Sequence, residues 1–236
     1  MKATALDARG TPAPGGMREL LAVALPMIIS NSCETLMMFT SRVFLSWVRP
    51  EFMSAAMAGG LTSYMFTTFF VGLTGYSTAL VAQHLGAGQP RRCAAVTAQA
   101  LIISLLAYPI LLLCLPLGHR MFAATHISPE QLGPQREYFN ILVYGAPLLL
   151  LRTSLSGFFS GLGRTRVVMV STGLAMAVGV VANYVLIFGH FGLPALGIRG
   201  AAFATLIGSA TGLAALLVAY FRPANQREFG VREGLR

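Results

Sequence analysis

Long apolar stretches separated by short polar breaks organise this chain. The first, 20–45, reads LLAVALPMIISNSCETLMMFTSRVFL. A bilayer span needs roughly 20 mostly apolar residues, and this stretch is long enough. Five more follow, at about 53–84, 94–117, 138–162, 167–188 and 201–220. The breaks carry helix-stop chemistry. LGAGQPRR follows the second stretch, with Gly86 and Gly88 ahead of Pro90, and GLGRTR follows the fourth. The pattern predicts an all-α, polytopic membrane protein, built as one lobe of about six transmembrane helices.

The spans differ in what they carry. The second is rich in Gly, Ser and Thr, which let helices approach closely and hydrogen-bond across the contact. It is expected to be buried against partners or to line a polar cavity. The third is the most uniformly apolar, contains Pro109, and is expected to face lipid. A polar loop over 118–135 holds His119, Arg120, His126 and Glu130 and has room for a short amphipathic piece. Gly208 and Gly212 give the sixth span a GxxxG close-contact face. Residues 1–17 are read as a disordered cytoplasmic lead, 18–222 as the lobe, and 223–236 as a cytoplasmic tail or the start of an inter-lobe linker. No cleavable signal peptide is expected, because the first apolar run is too long for a signal h-region and no small-residue cleavage site follows it.

Composition agrees with this picture. The chain has 236 residues, 55% hydrophobic and 11% charged, against about 25% charged in soluble domains. The net charge of +9 does not form one patch, so no nucleic-acid partner is expected. The basic residues flank the spans and point instead to topology and anionic lipid head groups. Most Lys and Arg residues fall on the side of the termini, which places both termini in the cytoplasm by the positive-inside rule. The expected location is the plasma membrane, the inner membrane of a bacterium. Cys33, Cys93 and Cys114 lie in apolar surroundings without regular spacing, and His84, His119, His126 and His190 show no ligand spacing. Neither a disulfide framework nor a metal site is expected.

The candidate chemistry lies inside the spans. Glu34 sits near the middle of the first stretch, where a charge costs about 2.5 kcal/mol or more. An intramembrane ionisable residue marks a functional site by default. The alternative is a structural carboxyl, protonated or paired with a neighbouring helix. Arg152, in the fourth span, falls at about the same depth and is the candidate charge partner. No catalytic residues are expected: HExxH, GxSxG and paired catalytic carboxylates are all missing from the sequence. Ser77, in GYSTA, is read as a packing residue.

Four segments carry a family likeness, in order and with matching spacing: PMIISNS, GYSTALVAQHLGAGQPRR, GFFSGLGRTRVVMV and ANYVLIFGHFGLPALGIRGAAFAT. The chain resembles the N-terminal half of a MATE transporter, of the multidrug and toxic compound extrusion family, over about 18–222. The resemblance implies one lobe of a secondary antiporter that exports organic, often cationic, drug-like compounds in exchange for protons or sodium, with no other cofactor. It also implies a second six-helix lobe facing this one across the substrate cavity, or a homodimer in its place. The likeness has departures. Where the family's first helix usually carries an aspartate, this chain has Ser41, followed by Arg42. Glu34, seven residues earlier, lies two turns away on the same helical face. In the fifth span Asn183 matches one of two polar positions, and Gly179 occupies the other.

On this reading Glu34 takes a proton or sodium, with Asn31, Thr35, Ser41 and Asn183 as supporting oxygen or hydrogen-bond groups. Tyr64, Met65, Phe66 and Phe69 are either a soft aromatic wall for a flat cation or ordinary packing. Two alternatives stand beside the antiporter. One is a lipid-linked saccharide flippase-like transporter, to which Arg42 and Arg152 would suit a cationic cavity. The other is a truncated, non-transporting lobe.

Overall fold

The computed structural model describes residues 17–124, 128–190, 192 and 194–231. The lead up to residue 16, His126 and residues 232–236 lie outside the described residues. Among those described, the chain forms helices and no strands. They are α1 (Met17–Val48), α2 (Pro50–Gly75), α3 (Ser77–Gly86), α4 (Pro90–Leu113), α5 (Leu115–Ala124), α6 (Pro129–Tyr144), α7 (Ala146–Gly161), α8 (Thr165–Phe188), α9 (Ile198–Tyr220) and α10 (Pro223–Phe229).

Five stretches are long and apolar enough to cross a membrane: Leu20–Val48, Pro50–Gly86, α4, α8 and α9. A sixth is the pair α6 and α7, bent by 47°. The bend has a local cause. Gly145 ends α6, and Pro147 in the first turn of α7 has no N–H to continue the ladder. The fold is therefore the all-α, polytopic membrane lobe that the apolar pattern predicts. Its helices pack as neighbours: α8 along α9 and α1, α2 on α6, α4 on α7, with α6 and α7 both reaching α9.

Two expectations need correction. The third span does not simply face lipid. A third of its apolar window is buried, whereas α1, at 11%, is the least buried of the long spans. In α4 the buried side is small: Ala94, Thr97, Ala100, Ser104 and Ala107 recur at three- and four-residue spacing toward α3 and α7. The Ser104 and Ser154 hydroxyls meet across the α4–α7 contact at 3.0 Å. The large residues Ile102, Leu105, Leu106 and Leu113 point outward. The packed face is built mainly of small residues, two of them hydroxylated, and the outer face of large apolar ones. The second correction concerns the polar loop 118–135. It is helical over most of its described length, because α5 runs to Ala124 and α6 starts at Pro129, nine residues before the expected start. Proline at the first position and Glu130 in the first turn favour that start.

The GxxxG face of α9 makes close contacts. A Cβ added at Gly208 would lie 3.0 Å from Ala175 O, and one at Gly212 would lie 3.1 Å from Arg152 Nε. Three apolar clusters hold the bundle. One, at the end carrying the α3–α4 and α7–α8 turns, joins Phe158, Phe159, Leu216 and Tyr220 to Phe229 and Val231 from the C-terminal segment. Arg164 fastens that segment: Nη1 donates to Asn225 Oδ1 and Nη2 to Glu228 Oε2, each at 2.7 Å, and its guanidinium lies over the Phe229 ring. The second cluster lies at the opposite end, around Leu45, Tyr138, Ile187 and Ala201. The third packs Phe122, Phe139 and Leu150 between α4, α5, α6 and α7.

Candidate functional site

Two polar features lie inside the bundle, about one helical turn apart along α1. The first is a cavity of about 500 Å³ between α1, α2, α6, α7 and α9. That size lies within the few hundred to one thousand Å³ of small-molecule sites. Its walls are mostly apolar: Met37, Met38, Met57, Leu61, Leu142, Leu149 and Leu206. Its polar lining consists of hydroxyls and one charge: Ser41, Ser63, Tyr64, Thr67, Tyr138, Thr205 and Ser209, with Arg42. Helical spacing puts Met38, Ser41, Arg42 and Leu45 on one face of α1. The second span contributes Gly60, Ser63, Tyr64 and Thr67, so it lines the cavity as its composition predicts. Tyr138 lies against Thr205 and within electrostatic reach of Arg42.

The second feature is an ion pair. Arg152 Nη2 donates to Glu34 Oε1 at 2.7 Å and to Thr172 Oγ1 at 3.1 Å. The arginine stem rests on Gly212, whose missing side chain makes the room. One guanidinium thus joins α1, α7, α8 and α9. The pair is asymmetric, with the Arg152 side chain 15% exposed and that of Glu34 54% exposed. Glu34 therefore presents a carboxylate on the open flank of α1 while its partner stays inside. Glu34 lies three to four residues from Met37 and Met38, about 5 Å along the helix, just beyond the inner end of the cavity.

The sequence-derived site residues do not form one constellation. Ser41 is buried on the cavity wall. Asn31 is exposed, on the same flank as Glu34, and its carbonyl accepts the Thr35 hydroxyl at 2.9 Å. Asn183 is fully buried in α8, where its Nδ2 donates to Gly179 O at 2.9 Å and its Oδ1 has no hydrogen-bond partner. Neither asparagine lines the cavity. Of the aromatic wall, Tyr64 lines the cavity, Phe66 packs toward Phe139 at 6.1 Å between ring centroids, and Met65 and Phe69 point outward. Thr172 and Gly212 escaped the sequence reading as partners of Arg152. The GxxxG signal at Gly212 was visible, but its occupant was not. Among the described residues no three His, Cys, Asp or Glu side chains converge on a metal position.

Comparison with known proteins fits this architecture. The chain is 31% identical to the multidrug resistance protein PmpM of Pseudomonas aeruginosa over 198 residues, covering 84% of this chain and 42% of that protein. It is 28% identical to the probable multidrug resistance protein NorM of Thermotoga maritima over 226 residues, covering 92% of this chain and 47% of that one. Among solved structures, an outward-facing multidrug resistance MATE family transporter of the MOP superfamily superposes with a TM-score of 0.77 at 22% identity, over 91% of this chain and 46% of that one. A MOP superfamily transporter from Pyrococcus furiosus gives 0.75 at 23% identity, over 86% and 44%. The chain spans about half the length of the curated relatives it matches. Members of the family are multi-pass membrane transporters rather than enzymes. The MatE family profile matches residues 26–185, most of the chain, and with the six-span bundle around a cavity this makes the protein a member of the MatE family.

Proposed function

We propose that this chain is one lobe of a secondary active antiporter that exports organic compounds across the bacterial plasma membrane in exchange for protons or sodium. Both termini lie in the cytoplasm, and a second six-helix lobe, or a second copy of the chain, faces the open flank of α1. The observation that carries the reading is Glu34: a carboxylate at mid-span, half exposed on that flank and tied to Arg152. A lone lobe would present this group to hydrocarbon, at a cost that a facing lobe with a water-filled interface removes. Arg152 makes Glu34 a switch rather than a free acid. Opening of the pair frees the carboxylate to act on the coupling ion, proton or sodium.

The test is transport in proteoliposomes under an imposed proton or sodium gradient, with cationic, neutral and anionic dyes, for the chain alone and combined with a second lobe. Glu34→Gln is expected to abolish gradient-driven movement while helicity is retained. Dye movement that ignores both gradients, or survives Glu34→Gln, would sink the antiport reading. Arg42 in the cavity favours a second reading, a flippase for lipid-linked saccharides. Movement of a lipid diphosphate without any gradient would select it.

A further inference from the structure

The polarity of the cavity differs from that expected for a cationic cargo. Arg42 is the one charged side chain among the residues lining it, and no carboxylate is among them. Glu34, the acid that would attract a cation, lies outside the lining. Its charge is also engaged by Arg152 at 2.7 Å. Arg42 itself has no hydrogen bond or ion pair to another described residue, unlike Arg152, Arg164 and Arg199, each held by a carboxylate. A guanidinium keeps its charge at any physiological pH and offers five N–H donors. In a mostly apolar, partly enclosed site a fixed charge acts over a longer range than in water. The hydroxyls of Ser41 and Ser63, both buried and both without a hydrogen bond to another described residue, open onto the same space. Hydroxyls serve as donors toward an acceptor-only group. The methionine and leucine walls complement an apolar body.

From this arrangement we infer that the cavity of this lobe binds an amphiphilic organic anion, with its carboxylate, sulfonate or phosphate on Arg42 and its apolar part along Met37, Met57 and Leu142. The inference rests on the transporter reading for what binding leads to, but not for binding itself. It concerns the ligand's charge, so a lipid phosphate and a free aryl anion are two sources of one chemistry.

The experiment uses the full chain in nanodiscs of zwitterionic phosphatidylcholine, so that lipid charge does not bias the result. Two fluorescent probes share one aromatic body and differ in charge: pyrenebutyrate and pyrenebutyl-trimethylammonium. The anion is expected to bind at least about tenfold more tightly, the scale of one charge-assisted hydrogen bond. Arg42→Gln is expected to remove that preference, and Arg42→Lys to keep part of it. Ser41→Asp, which sets a carboxylate beside Arg42, is expected to erase or reverse it without removing the arginine. Competition by a short-chain phosphatidate against an arylsulfonate then identifies the source. Equal or tighter binding of the cation by the unaltered chain overturns the inference whether or not any variant folds. An anion preference that persists in a folded Arg42→Gln protein overturns the role of Arg42. Anion binding without gradient-driven transport would leave this inference standing and sink the antiporter. Transport with cation-selective binding would do the reverse.

Discussion

Arg152 and Arg42 both lie inside spans and are differently housed. Arg152 is enclosed: Glu34 and Thr172 take its hydrogen bonds, and Gly212 makes room for its stem. Arg42 sits half-buried on a cavity wall among hydroxyls and thioethers, with no acid in the lining. A membrane arginine is costly in both places. In the first the cost is offset by Glu34 and Thr172, and the arginine itself joins four helices. In the second no described carboxylate offsets it, which leaves the charge to be matched by something that enters. Residue type alone does not separate a structural charge from a ligand-binding one. The supply of partners does.

The largest expected effect would break the enclosed side of this comparison. Glu34→Leu strands a guanidinium that cannot lose its charge, and should lower stability by about 2–3 kcal/mol, below the ~3–5 of a fully buried pair because half of Glu34 is open. Thermal unfolding in detergent reads this. Arg152→Leu should cost less, because the carboxylate it leaves is already half exposed whereas the guanidinium is largely buried. A double Glu34→Leu, Arg152→Leu variant more stable than Glu34→Leu alone is also expected. If the double variant is no better, the two residues are not energetically paired.

A smaller effect tests the room made for Arg152. A Cβ at Gly212 already falls 3.1 Å from Arg152 Nε, so Gly212→Val should push the arginine aside at about 1–3 kcal/mol. Combining it with Arg152→Leu should reduce that penalty. A penalty unchanged by the loss of Arg152 would mean that Ala175, also in contact, sets the fit.

The smallest effect sharpens the open side. Arg42→Met removes an unpaired membrane charge and should shift stability by less than about 1 kcal/mol, in either direction. The same thermal scan checks it. A loss as large as that from Glu34→Leu would show that Arg42 is held by the fold and is not free for a ligand.

Much of this was legible in the sequence. Span number followed from apolar length, because a bilayer imposes about the same requirement on every helix. The stops after α3 and α7 followed from Gly88 and Gly163, both found at φ +70° in the left-handed region that ends helices. The depth match of Glu34 with Arg152 was readable because each span's ends act as a ruler. The packed side of α4 was not, because in a bilayer the most apolar residues turn to lipid while small and hydroxylated ones pack, the reverse of the inside-apolar rule. The helical start at Pro129 was hidden by polar composition, although its cap signals were present.

The sequence by itself determined the helical, membrane-spanning class of this protein, the count of spans and which polar residues lie within them. These depend on local quantities: the length of apolar runs, the residues at their ends and their period along one helix. Only the tertiary structure decided that Ser41 and Arg42 share a cavity, that Glu34 and Asn183 stand outside it, and that Thr172 and Gly212 complete the seat of Arg152. Those outcomes depend on which faces of separate helices meet. That choice is made by the fit of side chains far apart in the chain, which no single stretch of sequence contains.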